Sequence, residues 1–292
     1  MTNRPKPTVL SALQTARQRL EAAGIEDAEL EAEVLVRYVL NTDRAHLYQN
    51  MHAPLADDSM NFLYRLVRRR MLHEPSAYIT GHREFYGLDF VVNRDVLIPR
   101  PETETLVEAA IELASGIERA GDQPGESAPL IADIGTGSGA VAVTLAVKLP
   151  AARISAIDVS AAALDTARAN ARAHGVEDRV AFLEGSLLEP LEAPVHLIVA
   201  NLPYVKTSDW SELPPELRLH EPRLALDGGE DGLDLIRRVL EQAPRYLLPG
   251  GAACLEFGAG QQNAVLALGR SAFASATIRP DLAARPRVLV VR

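Results

Sequence analysis

Between residues 130 and 184 three short apolar runs alternate with two helical stretches, and this alternation restricts the fold more than any other feature of the chain. Segments 130–134, 153–157 and 180–184 have the length and composition of buried strands, whereas 139–149 and 161–174 are long enough for helices. The apolar run 195–200 is a fourth strand. A helix over 232–246, a strand over 252–257, a helix over 261–268 and two strands, 274–279 and 287–291, complete the pattern. Strands joined through helices run parallel, and a parallel sheet needs helices on both faces. The last two strands have no helix between them, which predicts that one of them runs antiparallel.

Upstream the pattern differs. Residues 8–74 read as helical throughout. Thr8 or Ser11 can cap a first helix that stops at Gly24. Leu30, Val34, Leu35, Tyr38 and Val39 recur at helical spacing up to Asn41, and Met60, Leu63, Tyr64, Val67 and Met71 form a stripe on a helix over 58–72. Such stripes are core positions, and no residue here looks catalytic. Segments 77–81 and 84–92 are punctuated by glycine as short antiparallel strands are. Pro99 and Pro101 exclude a regular element between them, and Pro101 suits the first turn of a helix over 102–115. Residues 115–129, rich in Gly, Pro, Ser and Glu, read as a mobile loop. The expected organisation is a helical bundle over 1–75 that recognises substrate, a β-hairpin linker over 76–100 and an α/β domain over 101–292.

Composition narrows the function. The 292 residues carry a formal charge of -9, which argues against sequence-independent nucleic-acid binding, since that depends on neutralising phosphates. Arg68-Arg69-Arg70 is the one candidate basic patch, with a solvated helix end as the plainer alternative. The single Cys254 excludes an intramolecular disulfide framework and a multi-cysteine metal site, so no metal is expected. The first residues carry no signal-peptide pattern and no apolar stretch is long enough to span a bilayer, so a cytoplasmic protein is expected. His196 reads as a satisfied core histidine and Cys254 as a small buried apolar residue.

Two constellations carry chemistry. Asp133-Ile134-Gly135-Thr136-Gly137-Ser138-Gly139 joins the strand over 130–134 to its helix. Glycine lets the backbone approach a ligand, and the following helix presents free N–H groups. The spacing G-x-G-x-G is neither the dinucleotide fingerprint nor a Walker loop. The next strand ends at Asp158, an acid placed to accept the two hydroxyls of a ribose. A negative charge at Asp133 is poor for a pyrophosphate but suits an amino acid that carries a sulfonium, which favours S-adenosylmethionine over a nicotinamide dinucleotide. Gly185-Ser186 ends the third strand, where Ser186 can contact an adenine.

The second constellation is Asn201-Leu202-Pro203-Tyr204, polar groups at the carboxyl end of a buried strand, where open α/β sheets bind ligands. Pro203 keeps Leu202 extended and removes one donor. The Asn201 side chain and the Leu202 carbonyl can then offer two acceptors to one planar NH2 group, with the Tyr204 ring beside it. A planar NH2 occurs in a carboxamide and equally in the exocyclic amine of adenine.

With these motifs the chain resembles the release factor glutamine methyltransferases, the HemK/PrmC family, over nearly its whole length. The resemblance rests on Tyr78-Ile79-Thr80-Gly81 with Glu84-Phe85-Tyr86-Gly87, on Leu97-Ile98-Pro99-Arg100-Pro101-Glu102-Thr103-Glu104, and on Asp133 to Gly139. It rests further on Asn201 to Tyr204 and on Glu221-Pro222 with Ala225-Leu226-Asp227-Gly228-Gly229-Glu230-Asp231-Gly232. It implies a Rossmann-like, seven-stranded S-adenosylmethionine-dependent methyltransferase domain with a small N-terminal helical bundle joined by a β-hairpin. It implies methyl transfer to the side-chain amide of the glutamine in the Gly-Gly-Gln motif of peptide chain release factors, leaving S-adenosylhomocysteine. Asp133, Gly135, Thr136, Gly137, Gly139, Asp158, Ser186 and Asn201 are then expected at the cofactor. Arg100, Asn201, Leu202, Pro203 and Tyr204 are expected at the substrate, the last four as the catalytic group. The plainer role of Arg100 is to pair with Glu102 and Glu104, which can themselves stabilise a helix start. Glu221-Pro222-Arg223 can form a lid. Two departures stand out: the family has Asn-Pro-Pro-Tyr where this chain has Leu202, and an acid where it has Ser186. The rivals are an adenine-amine nucleic-acid methyltransferase, a ribosomal-protein glutamine methyltransferase and a non-enzymatic adaptor. A monomer acting on a protein, with no direct nucleic acid or membrane partner, is expected.

Overall fold

The structure, a computed structural model, describes residues 7–120 and 128–292. The chain divides into two compact units, one of residues up to Gly81 together with Pro214–His220, the other of His82–Leu213 with Glu221–Arg292.

The first unit is helical. Thr8 caps α1 (Val9–Ala22) in a reciprocal box: the Ser11 amide donates to Thr8 Oγ1 at 3.2 Å and the Thr8 amide to Ser11 Oγ at 2.8 Å. α2 (Ala28–Leu40) ends on Asn41, left-handed at φ 47°. α3 (Arg44–Gln49), α4 (Asp57–Met71) and α5 (Ser76–Thr80) follow, and the short helix Pro215–His220, α9 in chain order, belongs to this unit although its sequence lies far downstream. The core face of α2 differs from the expected stripe. Ala28, Ala32, Leu35 and Val36 are buried while Leu30 and Tyr38 are exposed, because small alanines let α1 and α2 pack closely. On α4, Leu66 and Arg70 are buried beside Leu63 and Val67, whereas Met71 is exposed. Arg70 Nε reaches Glu31 at 2.9 Å and its Nη1 reaches Glu216 at 3.1 Å, and Arg69 is paired in a fork with Glu74. Arg69 and Arg70 are therefore engaged in ion pairs and form no basic patch, while Arg68 is exposed at the helix end.

Residues 77–81, expected as a strand, form α5. Pro75 fixes the entry, the Thr80 hydroxyl donates to the Ser76 carbonyl at 2.9 Å, and Gly81 closes the turn at φ 81°. Tyr78 and Ile79 are buried, and so short an apolar run carries no period that separates strand from helix.

In the second unit β1 (His82–Phe85) and β2 (Leu88–Val91) pair antiparallel through Tyr86 and Gly87, both at positive φ (54° and 75°), as a type I′ turn requires. Phe85 and Phe90 are fully buried with ring centroids 6.2 Å apart, each contributing roughly 1.5–3 kcal/mol by burial. A single 3₁₀ turn, Pro101–Thr103, precedes α6 (Glu104–Ala120). The helix expected to end at 115 runs five residues further, so the expected loop loses 115–120, and its residues 121–127 lie outside the described residues.

The sheet contains β3 (Leu130–Ile134), β4 (Arg153–Asp158), β5 (Val180–Glu184), β6 (Val195–Asn201), β7 (Leu247–Glu256), β8 (Ala276–Pro280) and β9 (Pro286–Val291). Its order is β5-β4-β3-β6-β7-β9-β8, parallel except for β9, the antiparallel strand at the terminus. α7 (Ala140–Lys148), α8 (Ala161–Ala173), α10 (Asp234–Tyr246) and α11 (Gln262–Ala272) complete the unit. α6, α7 and the hairpin cover one face with a core around Leu106, Leu145 and Phe85; α10 and α11 cover the other around Ile236, Val239 and Val265. The chain order reverses between β3 and β6, and a ligand crevice is expected outside their carboxyl ends. No described helix is long and apolar enough to cross a membrane.

Candidate active site

A cavity of about 350 Å³ opens at that reversal, in the range of small-molecule sites. The glycine loop forms one wall. The amides of Gly135 and Thr136 both donate to the Ile157 carbonyl, at 2.8 and 2.9 Å, which pins the loop over β4. Gly135 sits at φ 72°, a conformation that favours glycine, and a Cβ there would lie 3.3 Å from Leu202 Cδ2, so the loop packs tightly on the end of β6. Asp158 is aimed by two backbone donors, Gly137 to Oδ2 at 2.9 Å and Ser160 to Oδ1 at 3.0 Å. Gly139 is not among the lining residues. Its Cα faces α8, where a Cβ would come within 3.0 Å of Ala167 Cβ.

Asp133 is 1% exposed, and burial drives its carboxyl up to about 7 against the Thr136 hydroxyl and the Ala142 amide, which bond Oδ2 at 2.7 and 3.2 Å. A carboxylate so desolvated favours a cationic ligand. Ser186 lines the cavity beside Arg238, whose guanidinium reaches its hydroxyl at 3.4 Å.

Asn201, the last residue of β6, lines the cavity beside the loop with Leu202 and Pro203. Its Nδ2 donates to Thr103 Oγ1 at 2.9 Å, and Oδ1 has no donor among the described residues. The Leu202 side chain is 3% exposed in the core, and its carbonyl receives no hydrogen bond from a described residue. Leucine replaces proline here without touching the acceptor. Tyr204 is not a lining residue. It is largely buried, its hydroxyl pushed up by burial and then by Glu256, and its carbonyl accepts from Gln261 Nε2 at 3.0 Å. Gln261 Oε1 accepts in turn from the Gly258 amide at 2.8 Å. Gly228 and Gly232 lie directly against the Pro203–Tyr204 backbone.

Arg100 lines the cavity but pairs with neither Glu102 nor Glu104. Its guanidinium bonds Glu221, which is buried and also accepts from the Ile98 amide at 3.3 Å. Glu104 instead accepts from the Tyr86 amide at 3.0 Å. The expected lid residue Glu221 is thus a clamp between two chain segments, with Pro222, Leu224 and Ala225 beyond it along the cavity. His196 Nδ1 accepts from the Leu130 amide at 3.1 Å, and Cys254 is fully buried, its thiol pushed up to about 12 by desolvation.

Thr103, Glu256 and Gln261 were not readable as site residues from spacing alone, and Glu221, expected in a lid, was not readable as the partner of Arg100. Glu256 did carry a signal: it is an acid inside the apolar run 252–257.

Fold and site together define a methyltransferase of the α/β class, and the comparisons agree. Residues 123–213 match the methyltransferase small domain, and residues 11–81 match the PrmC N-terminal domain. Among solved structures, a methyltransferase from Pyrococcus furiosus superposes with a TM-score of 0.51 at 19% identity, covering 77% of this chain and 96% of that one. The hMettl16 catalytic domain, solved with an RNA hairpin, gives 0.54 at 16% identity, covering 74% and 79%. These two show the fold alone.

Whole-length relatives are more specific. The release factor glutamine methyltransferase of Geobacter sulfurreducens is 44% identical over 270 residues, 92% of this chain and 90% of its own. That of Moorella thermoacetica is 44% identical over 283 residues, 96% of each chain. The chain belongs to the release factor glutamine methyltransferase family.

Proposed function

We propose that the chain methylates the side-chain amide nitrogen of the Gly-Gly-Gln glutamine of peptide chain release factors, with S-adenosylmethionine as donor. The observation that carries this reading is Asn201, held by Thr103 through Nδ2 with Oδ1 left as an acceptor, next to the unbonded Leu202 carbonyl.

The residues present fit the donor. Asp133 is a desolvated acid for its cationic amino-acid end, the glycine loop brings backbone close, Asp158 is an aimed carboxylate for ribose hydroxyls, and Ser186 lines the same cavity and is available to an adenine. When bound, S-adenosylmethionine supplies a methyl group on a positively charged sulfur. The chain's own task is to make an amide nitrogen reactive. That nitrogen is a poor nucleophile because its lone pair is delocalised, the resonance behind a rotation barrier of roughly 18–20 kcal/mol. Asn201 Oδ1 and the Leu202 carbonyl accept the two N–H groups and fix the amide plane. Both acceptors are better matched to the positive charge that develops on nitrogen than to the neutral amide, so they act on the transition state. Alignment of this kind can supply up to about 7–11 kcal/mol. Nitrogen gains the methyl, the sulfur keeps the electron pair of the broken bond, and the nitrogen releases one proton without needing a strong base. Pro203 stiffens the loop, Tyr204 supports it from behind the cavity wall, and Arg100, clamped by Glu221, borders the same cavity.

The enzyme is proposed to act as a cytoplasmic monomer on protein, not on nucleic acid. Labelled-methyl transfer to release factor, ribosomal protein and DNA in parallel tests this. Label on release factor alone is expected, and label on DNA alone would replace the reading with an adenine-amine methyltransferase.

Two expectations concern the donor. Asp158→Ala should weaken cofactor binding by roughly 10–100-fold, the worth of hydrogen bonds to a charged group. Calorimetry showing equal affinity would remove Asp158 from the ribose. Asp133 titrates near 7 without ligand and a cation favours its ionised form, so affinity should rise with pH between about 6 and 7.5. Binding at pH 6.5 should release protons, seen as a buffer-dependent heat, and Asp133→Asn should abolish that release.

A further inference from the structure

The most deeply buried acid that the mechanism leaves unused is Glu256. It ends β7 in register with Asn201 of β6, so the two side chains stand side by side on one face of the sheet. Glu256 is 1% exposed, and neither carboxyl oxygen has a hydrogen-bond partner of ordinary geometry among the described residues. The hydroxyls of Thr103 and Tyr204 are the neutral donors directed at it, Arg287 on β9 and Glu102 on the 3₁₀ turn are the charged groups that face it, and burial outweighs them all and holds the carboxyl up at about 7. Arg287 is engaged elsewhere, with Asp281 at 3.1 Å and Glu102 at 3.9 Å. An unsatisfied buried carboxyl is expensive and calls for a function.

Thr103 links the two residues. Its Oγ1 already accepts from Asn201 Nδ2 at 2.9 Å, so its own O–H is free to donate, and the acceptor it faces is Glu256. A carboxylate can only accept, so an ionised Glu256 draws the Thr103 O–H toward itself and thereby keeps Thr103 an acceptor for Asn201 Nδ2. We propose that ionised Glu256 is a positioning residue which, through the Thr103 hydroxyl, holds the Asn201 amide with Oδ1 rather than Nδ2 toward the reacting nitrogen. Protonated Glu256 can donate to Thr103 instead. The hydroxyl then turns to donate toward Asn201, and the amide is free to flip and present N–H groups where the substrate needs an acceptor. The negative charge also lies, in a dry site, close to a centre that becomes positive. This inference rests on the amide-methylation reading above and goes beyond it by making orientation of Asn201 depend on a proton.

The test uses the full chain in two measurements. Without cofactor or substrate, the Asn201 side-chain amide signals in a nitrogen-15 spectrum, assigned by their loss in Asn201→Ala, should shift with a midpoint near pH 7, and Glu256→Gln should abolish that shift. With saturating S-adenosylmethionine and intact release factor, kcat of the wild type should fall about tenfold per pH unit below that midpoint. Glu256→Gln should lack this acid limb and lose roughly tenfold or more in kcat at pH 8, with KM for the cofactor little changed. Thr103→Val should resemble Glu256→Gln, the double variant should be no worse than either, and Thr103→Ser should restore most of what the valine loses. A wild-type kcat and unchanged acid limb in Glu256→Gln, additive losses in the double variant, or a serine as poor as the valine would overturn the proposal. An inactive wild type with a normal Asn201 titration would instead overturn the amide-methylation reading and leave the bond chain standing.

Discussion

Asn201→Ala should lower the rate of methyl transfer to release factor by about 10²–10³-fold, the loss seen when one preorganised polar group is removed from a transition-state site. The size of the effect follows from what is lost together. Oδ1 is the proposed side-chain acceptor for the amide, and its orientation is already set through Nδ2 and Thr103, so wild-type Asn201 should lose little freedom at the moment of reaction. Alanine leaves the Leu202 carbonyl as the lone acceptor, and the amide plane is free to rotate about that single bond. The loss belongs mainly in kcat, with a smaller change in cofactor affinity, because Asp133, the glycine loop and Asp158 are untouched. Single-turnover rates with saturating cofactor read it directly. A variant within a factor of about three of wild type would mean that Asn201 does not orient the acceptor.

The second large effect is expected from a residue that contacts no ligand. A Cβ at Gly228 would lie 2.6 Å from the Pro203 carbonyl oxygen, 2.8 Å from Tyr204 Cα and 2.9 Å from the Gly232 carbonyl. All three are backbone atoms, so Gly228→Ala cannot be accommodated by turning a side chain and must push the Pro203–Tyr204 loop aside. The loop is braced on its other side by Gln261, and the Gly228 amide itself donates to the Val205 carbonyl at 2.7 Å. A displacement near 1 Å at such a site can lower the rate about 10²-fold. Circular dichroism should show a retained fold, since the three backbone atoms met by the added Cβ belong to residues outside the sheet strands and outside both cores. Near-normal turnover in a folded Gly228→Ala protein would show that the loop tolerates the shift and that its placement is not critical.

The α/β core was readable because its physics is local: buried parallel strands are short apolar runs, and the glycines and acids at their carboxyl ends stand out against them. The same local rule failed at 77–81. Five residues, with Tyr78 and Ile79 buried either way, fit one helical turn or one strand, and only Pro75 and Gly81 decide between them. It failed again on α2, where the face is chosen by the alanines that let α1 approach and not by the largest side chains. Placement of the short helix Pro215–His220 in the helical unit depends on Glu216 meeting Arg70, a pairing over 146 residues that no window of sequence contains. In the site, the cavity-lining residues proposed to bond a ligand through their own chemistry were legible, namely Asp133, Asp158 and Asn201. Those acting on other residues were not. Thr103 lies 98 positions from Asn201, Glu221 lies 121 from Arg100, and only sheet register brings Glu256 beside Asn201.

The most direct measurement is to treat purified release factor with this protein and labelled S-adenosylmethionine, digest it, and locate the methyl by mass spectrometry. One methyl on the side-chain nitrogen of the Gly-Gly-Gln glutamine is the predicted result, absent with Asn201→Ala. A methyl on any other residue, or equal labelling by the Asn201→Ala protein, would contradict the assignment of Asn201 and Leu202 as the pair that presents a glutamine amide for methylation.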